Sequence, residues 1–136
     1  PLSEGMLQRW QAEGVRTDLV LRLPGRLPGL YLIEVDATGE RRFLYWRDQA
    51  AARAYFDAAG SPLEQALERI DALYFSGISL AILPPAGRAR LLAAAAALRA
   101  RGGTVVFDNN YRPRLWPDAA VAREAFAQAL AGADIA

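Results

Sequence analysis

Two short apolar runs, ALYFSG at residues 72–77 and TVVFDNNYRPRLW at residues 104–116, and the sequence that surrounds them, decide the fold. Ala72–Ser76 reads as a short buried strand ending at Gly77, and Thr104–Phe107 as a fully apolar strand. Between them, residues 84–101 carry the strongest helical pattern of the chain, stopped by Gly102-Gly103. Upstream, Ser61-Pro62-Leu63-Glu64 is a capping box with Pro at the first helical position, which predicts a helix to about Arg69. Downstream, residues 117–130 read as a helix, and ADIA (133–136) as the first residues of a further strand. From residue 61 the order is helix, strand, helix, strand, helix, incipient strand. That alternation predicts an α/β fold: a parallel sheet with helices on both faces, joined by right-handed crossovers.

The sequence before residue 61 does not share this rhythm. Ser3–Glu13 reads as a short helix with Gly14 at its end, and Asp18–Leu23 alternates like a half-buried strand. Pro24, Gly25, Pro28 and Gly29 then break the chain. Leu30–Val35 and Arg41–Trp46 flank the short, Gly-containing stretch 36–40, which predicts a β-hairpin, either a flap or a small accessory sheet. Gln49–Phe56 looks helical, with Gly60 as its stop.

Composition narrows the chemistry. The 136 residues are 53% hydrophobic and 23% charged, with 16 basic against 15 acidic residues and a net charge of +1. A near-balance of this kind argues against a nucleic-acid partner or an acidic membrane surface, either of which calls for concentrated basic charge. Cys and His are both absent, so no thiolate nucleophile, imidazole base, disulfide or zinc cluster of those ligands is available. Every basic residue is Arg. No run approaches the ~18 apolar residues of a membrane helix, and no signal-peptide pattern opens the chain, so the expected location is the cytoplasm.

In an open parallel sheet, ligands bind beyond the carboxyl ends of the strands. Two segments qualify. Ser76-Gly77-Ile78-Ser79 follows the first strand, and Gly77 there reads either as part of a ligand loop or as a tight turn against neighbouring backbone. Asp108 to Trp116 follows the second. Arg112 can grip a carboxylate or phosphate with two parallel hydrogen bonds, and Asp108 and Asn110 can orient a metal's water shell or sugar hydroxyls. The alternative is structural: an Asp–Arg ion pair with Asn caps and a Trp anchor. The hairpin supplies a third group. Tyr45 and Arg47 share a face by strand alternation, Trp46 points the other way, and Tyr31 lies near the start of the partner strand. This group reads equally as a site for a polyhydroxylated acid or as a cross-strand aromatic cluster.

GLYLIEVDATGERRFLYWRDQAAA (29–52), LYFSGISLAIL (73–83) and VFDNNYRPRLW (106–116) together resemble the ribokinase-type (PfkB) carbohydrate kinases, and within them the 2-keto-3-deoxygluconate kinases. The resemblance runs in order along essentially the whole chain. It implies that residues 1–136 form part of a ribokinase-like three-layer α/β/α sandwich. Residues 17–47 would be its lid strands and hairpin, and residues 61–136 an αβαβα portion of the central sheet. It also implies transfer of phosphate from ATP with Mg2+ to the terminal hydroxyl of a small-molecule sugar acid. Tyr31, Tyr45, Trp46, Arg47 and Arg112 would contact the substrate, and Asp108, Asn110, Tyr111 and Arg112 would lie near the nucleotide and phosphate.

The family's first strand and glycine-rich sugar-binding turn, and its later anion hole and catalytic Asp, have no counterpart in this sequence. The resemblance therefore assigns no catalytic residue and no metal ligand to this chain. The isolated residues are expected to be inactive and to bind ATP and Mg2+ poorly. The lid is expected to mediate homo-oligomerisation. Two other readings stay open: a kinase of a neutral, fructose-like sugar, and a non-catalytic sugar-acid-binding or dimerisation module.

Overall fold

A computed structural model describes residues 2–136 as two compact units, the first ending at Ala54 and the second spanning Tyr55–Ala136. In the first unit, α1 covers Leu2–Ala12. The expected strand at Asp18–Leu23 does not form. Its residues alternate, but neither sheet formed by the described residues takes them in as a strand. Instead the Val20 N–H donates to Thr17 O (3.1 Å), closing a turn, and Arg22 reaches Glu4 (2.7 Å).

The hairpin forms as expected. β1 (Leu30–Val35) and β2 (Arg41–Trp46) are antiparallel, with Tyr31 opposite Tyr45, Ile33 opposite Phe43 and Val35 opposite Arg41. One carboxylate organises the turn. Asp36 Oδ1 accepts from the Thr38 N–H (2.8 Å), the Thr38 hydroxyl (2.6 Å) and the Glu40 N–H (3.0 Å). The Thr38 bonds above all hold the Asp36 carboxyl below its ordinary range. Both faces of the hairpin are apolar, and Leu30, Tyr31, Leu32, Ile33, Val35, Phe43, Tyr45 and Trp46 are all exposed. The helix expected over residues 49–56 shrinks to one 3₁₀ turn, Ala51–Ala54. Its i→i+3 bonds (Ala50 N–H to Arg47 O and Arg53 N–H to Ala50 O, each 3.1 Å) fit a segment too short to repay helix nucleation.

The second unit holds the core. α2 (Pro62–Ala66) starts on the capping box: the Glu64 N–H donates to Ser61 Oγ, and the Ser61 N–H to Glu64 Oε2. A 3₁₀ turn at Leu67–Arg69 follows. β3 (Ala72–Ser76) and β4 (Thr104–Asp108) are parallel neighbours, with Phe75 beside Phe107 and Ser76 beside Asp108. The expected further strand appears as a parallel bridge from Val106 to Ile135 on the other side of β4. Asp134 secures it. Its carboxylate accepts from the Val105 N–H (2.9 Å) and from Arg99 (2.8 Å), which together depress its pKa.

α4 (Pro85–Ala100) and α5 (Ala119–Gly132) pack against each other and on β4. Phe75, Val105 and Phe107 meet Leu91, Leu98, Ala122, Ala125 and Ala129 in one buried cluster. Small Ala side chains on both helices let them approach the sheet closely. On the sheet itself, Tyr74 is 63% exposed and Ile135 57%.

The segment after β3 was read as a turn or ligand loop and is instead a helix, α3 (Gly77–Ile82), capped by Ser76. Gly77 serves close packing: a Cβ there would lie 2.0 Å from the Asn109 carbonyl oxygen and 2.7 Å from the Phe126 ring. Arg88 fastens the other end of α3. Its guanidinium donates to Leu80 O (3.0 Å) and lies 4.9 Å from the Trp116 ring centre. Among the described residues no helix is long and apolar enough to cross a membrane.

Candidate functional site

Alternation along β2 places Phe43 and Tyr45 on one face, and the register brings Tyr31 to the same face. The three rings form a cluster, with Tyr31 6.4 Å from Tyr45 and Phe43 stacked on Tyr45 at 6.1 Å. The cross-strand cluster is therefore real. It does not exhaust the group, because Arg47, just beyond the strand, lays its guanidinium carbon 4.2 Å from the Tyr45 ring centre.

Tyr45, Trp46 and Arg47 line one side of a cavity of about 630 Å3. The loop 25–28, Leu30 and residues 48–50 complete its wall. Tyr31 is not among the lining residues. It touches the site only through the Tyr45 ring. Arg47 is half-buried, and among the described residues neither it nor Arg26 has a carboxylate partner within salt-bridge distance. Removing part of a guanidinium from water without pairing it is unfavourable, so an unpaired Arg in a cavity wall marks a place for an anion. Arg26 and Asp48 were not singled out by the sequence. PGRLPG reads there only as a chain break, and what brings it to the hairpin is the Ala51 N–H bonding to Leu27 O (2.9 Å), a contact across 24 residues.

A shallower hollow of about 500 Å3 beside Gln11 and Arg16 has its polar groups already satisfied. Arg16 pairs with Asp18 (2.7 Å), and Gln11 Nε2 donates to Thr17 Oγ1 (2.7 Å). It offers a ligand little.

The second unit carries the other predicted residues at the carboxyl end of β4. The Tyr74 hydroxyl donates to Asp108 Oδ2 (3.0 Å), which raises the pKa of the phenol. Asp108 Oδ1 accepts from the Asn110 N–H (3.1 Å), and Asn109 Oδ1 from the Tyr111 N–H (3.1 Å). Asn110 turns the chain in the left-handed region, with φ of 32°. The structural alternative for this loop is half met. Trp116 is a buried anchor, edge-on to Phe126 at 5.6 Å, but no ion pair joins Asp108 to Arg112. Arg112 is exposed, and among the described residues its guanidinium donates only to the neighbouring Tyr111 O (3.3 Å), leaving most of its donors available. Among the described residues no group of three or more His, Cys, Asp or Glu is placed to hold a metal ion.

The whole of this sequence, residues 1–136, matches the model of the pfkB family carbohydrate kinases. A 2-dehydro-3-deoxygluconokinase of Dickeya dadantii is 55% identical over 98% of the chain, and one of Escherichia coli K12 is 49% identical over 98%. In both cases the chain spans 44% of the relative's length. A solved PfkB family carbohydrate kinase from Listeria grayi superposes with a TM-score of 0.83 at 25% identity, covering 98% of this chain and 41% of that one. A fructokinase from Xylella fastidiosa, at 22% identity and a TM-score of 0.75, shares the fold across 96% of this chain and 39% of its own. The resemblance in residues 29–52, 73–83 and 106–116 is borne out, and so is the ribokinase-like α/β fold that it implies. The chain belongs to the pfkB family of carbohydrate kinases.

Proposed function

We propose that the complete protein transfers the γ-phosphoryl group of ATP to the terminal hydroxyl of 2-keto-3-deoxygluconate, and that these residues supply the grip on the sugar acid. The observation that carries this reading is Arg47: half-buried, without a carboxylate partner among the described residues, and laid on Tyr45 in a cavity wall. A neutral sugar gives no reason to leave that cation unpaired, whereas a sugar-acid carboxylate would complete it. The names of the 55% and 49% identical relatives support the same substrate.

In this reading the hairpin within residues 17–47 acts as a lid, and residues 61–136 form an αβαβα portion of the central sheet. Tyr45, Trp46 and Arg47 hold the acid, while Tyr31 steadies the Tyr45 ring. Arg112 lies near the substrate and the transferred phosphoryl group. Asp108, Asn110 and Tyr111 line the junction between sugar and nucleotide.

In the transfer, the sugar hydroxyl gives up its proton to a base outside these residues, and its oxygen bonds to the γ-phosphorus as the bond to the ADP oxygen breaks, with ADP leaving. Catalysis of such a step rests on positioning and on stabilising charge. Mg2+, where bound, neutralises phosphate charge, but no residue here is assigned to hold it. Phosphorylation by the complete protein, with 2-keto-3-deoxygluconate and fructose compared, tests the reading. Preference for the acid is expected, and equal or better use of fructose would overturn it.

The hairpin also supports a partner. Both of its faces are apolar and exposed, and its edge strands are free to pair, so we propose that the complete protein is a homo-oligomer joined through it. Light scattering tests this. A monomer at working concentration would contradict it.

A further inference from the structure

Part of the wall of the cavity that Arg47 lines is built by a loop whose backbone is fixed on both sides. Leu23-Pro24-Gly25-Arg26 closes a turn through the Arg26 N–H and Leu23 O (3.2 Å). Pro24 fixes its own φ and Gly25 takes a φ of 74°, the pattern of a type II turn, in which the third residue needs the left-handed region. One residue beyond Arg26, the carbonyl of Leu27 accepts from the Ala51 N–H (2.9 Å), which holds the loop against the chain leaving β2. Arg26 therefore stands on a pre-set platform and lines the same cavity as Tyr45, Trp46 and Arg47.

Charge gives this placement meaning. Among the described residues the lining contains two guanidinium groups and a single carboxylate, Asp48, and neither Arg is engaged by an acid within salt-bridge distance. The two cations differ in setting. Arg47 is half-buried and held on an aromatic ring, whereas Arg26 is exposed. A carboxylate has more lone pairs than one guanidinium fork can use, so a second donor at the rim has acceptor sites left to fill. An exposed cation at a cavity mouth also raises the local concentration of an anionic ligand, and salt screens that effect.

Resting on the sugar-acid reading above, we infer that Arg26 is a second anion-binding guanidinium of this site. It shares the substrate carboxylate with Arg47 and sets the preference for acidic over neutral sugars.

The test compares Arg26→Gln and Arg26→Lys in the complete protein, with 2-keto-3-deoxygluconate and fructose as substrates, at low and at moderate salt. For Arg26→Gln, kcat/KM for the acid should fall about tenfold, mostly through KM, the size of effect expected of one lost charge-assisted hydrogen bond. Activity on fructose should stay unchanged, and the salt dependence of kcat/KM for the acid should flatten. Arg26→Lys, which keeps the charge, should recover to within about threefold of the unsubstituted protein. An equal loss on both substrates, or no loss, would overturn the inference and make Arg26 a structural or idle residue. Unsubstituted protein without any preference for the acid would overturn the sugar-acid reading itself. An acid preference left undiminished by Arg26→Gln would overturn only the role of Arg26.

Discussion

Gly77 brings the start of α3 so close to the Asn109 carbonyl that a methyl group would stand 2.0 Å from that oxygen and 2.7 Å from the Phe126 ring. One residue without a side chain thus lets the carboxyl ends of β3 and β4 meet, and it sets the start of the loop that carries Asn110, Tyr111 and Arg112. Gly77→Ala would force the 108–112 loop or Phe126 to move. We expect a loss of about 2–3 kcal/mol, read as a lower unfolding midpoint. An unchanged midpoint would contradict the contact.

Glu64 and Arg90 tie the start of α2 to α4. Arg90 bonds both carboxylate oxygens of Glu64 and also the carbonyls of Phe56 and Ala58, and the two side chains are only 26% and 28% exposed. The Arg90 hydrogen bond above all lowers the Glu64 pKa from 4.5 to about 2. A depressed carboxyl stabilises the fold above its unfolded pKa and loses that contribution as pH falls through the folded one. Stability from this pair should therefore be complete above about pH 5 and decline between pH 4.5 and 2. Glu64→Gln should cost about 1–2 kcal/mol at pH 7 and less at pH 3, checked by urea unfolding at both values. A cost that does not depend on pH would show that the charge is idle.

Arg88 works as a clamp. It spans the Leu80 carbonyl and the Trp116 ring, and its partial burial lowers its pKa. Arg88→Ala should cost about 1–3 kcal/mol and shift the tryptophan fluorescence as Trp116 loosens. Arg88→Lys should recover only part, because an ammonium lacks the planar fork. Full recovery by Lys would mean that charge alone matters.

The 136 residues alone should show no ATP-dependent turnover with 2-keto-3-deoxygluconate. They span 44% of the length of the D. dadantii and E. coli relatives. A coupled assay checks this, and turnover above background would contradict the division of labour proposed for them.

What the sequence disclosed and what it hid follow one line. Features fixed within a few residues were legible: the Ser61–Glu64 capping box, the two strands around residues 72–76 and 104–108, and the hairpin with its Asp36 turn. Asp18–Leu23 has the alternation of a strand, but pairing requires a neighbour, and periodicity does not report one. SGIS hid a helix because Gly77 looks like a breaker until Asn109 stands beside it. At the candidate site, Tyr45, Trp46 and Arg47 were visible as a local cluster. Arg26 and Asp48 were not, since only the Ala51–Leu27 bond places PGRLPG against the hairpin.

The central claim is that Arg47 holds the carboxylate of a sugar acid, and Arg47→Gln in the complete protein tests it most directly. Loss of a bidentate, charge-assisted pair should lower kcat/KM for 2-keto-3-deoxygluconate about 10- to 100-fold while fructose phosphorylation and the unfolding midpoint change little. An equal fall for both sugars, or undiminished use of the acid, would contradict the account.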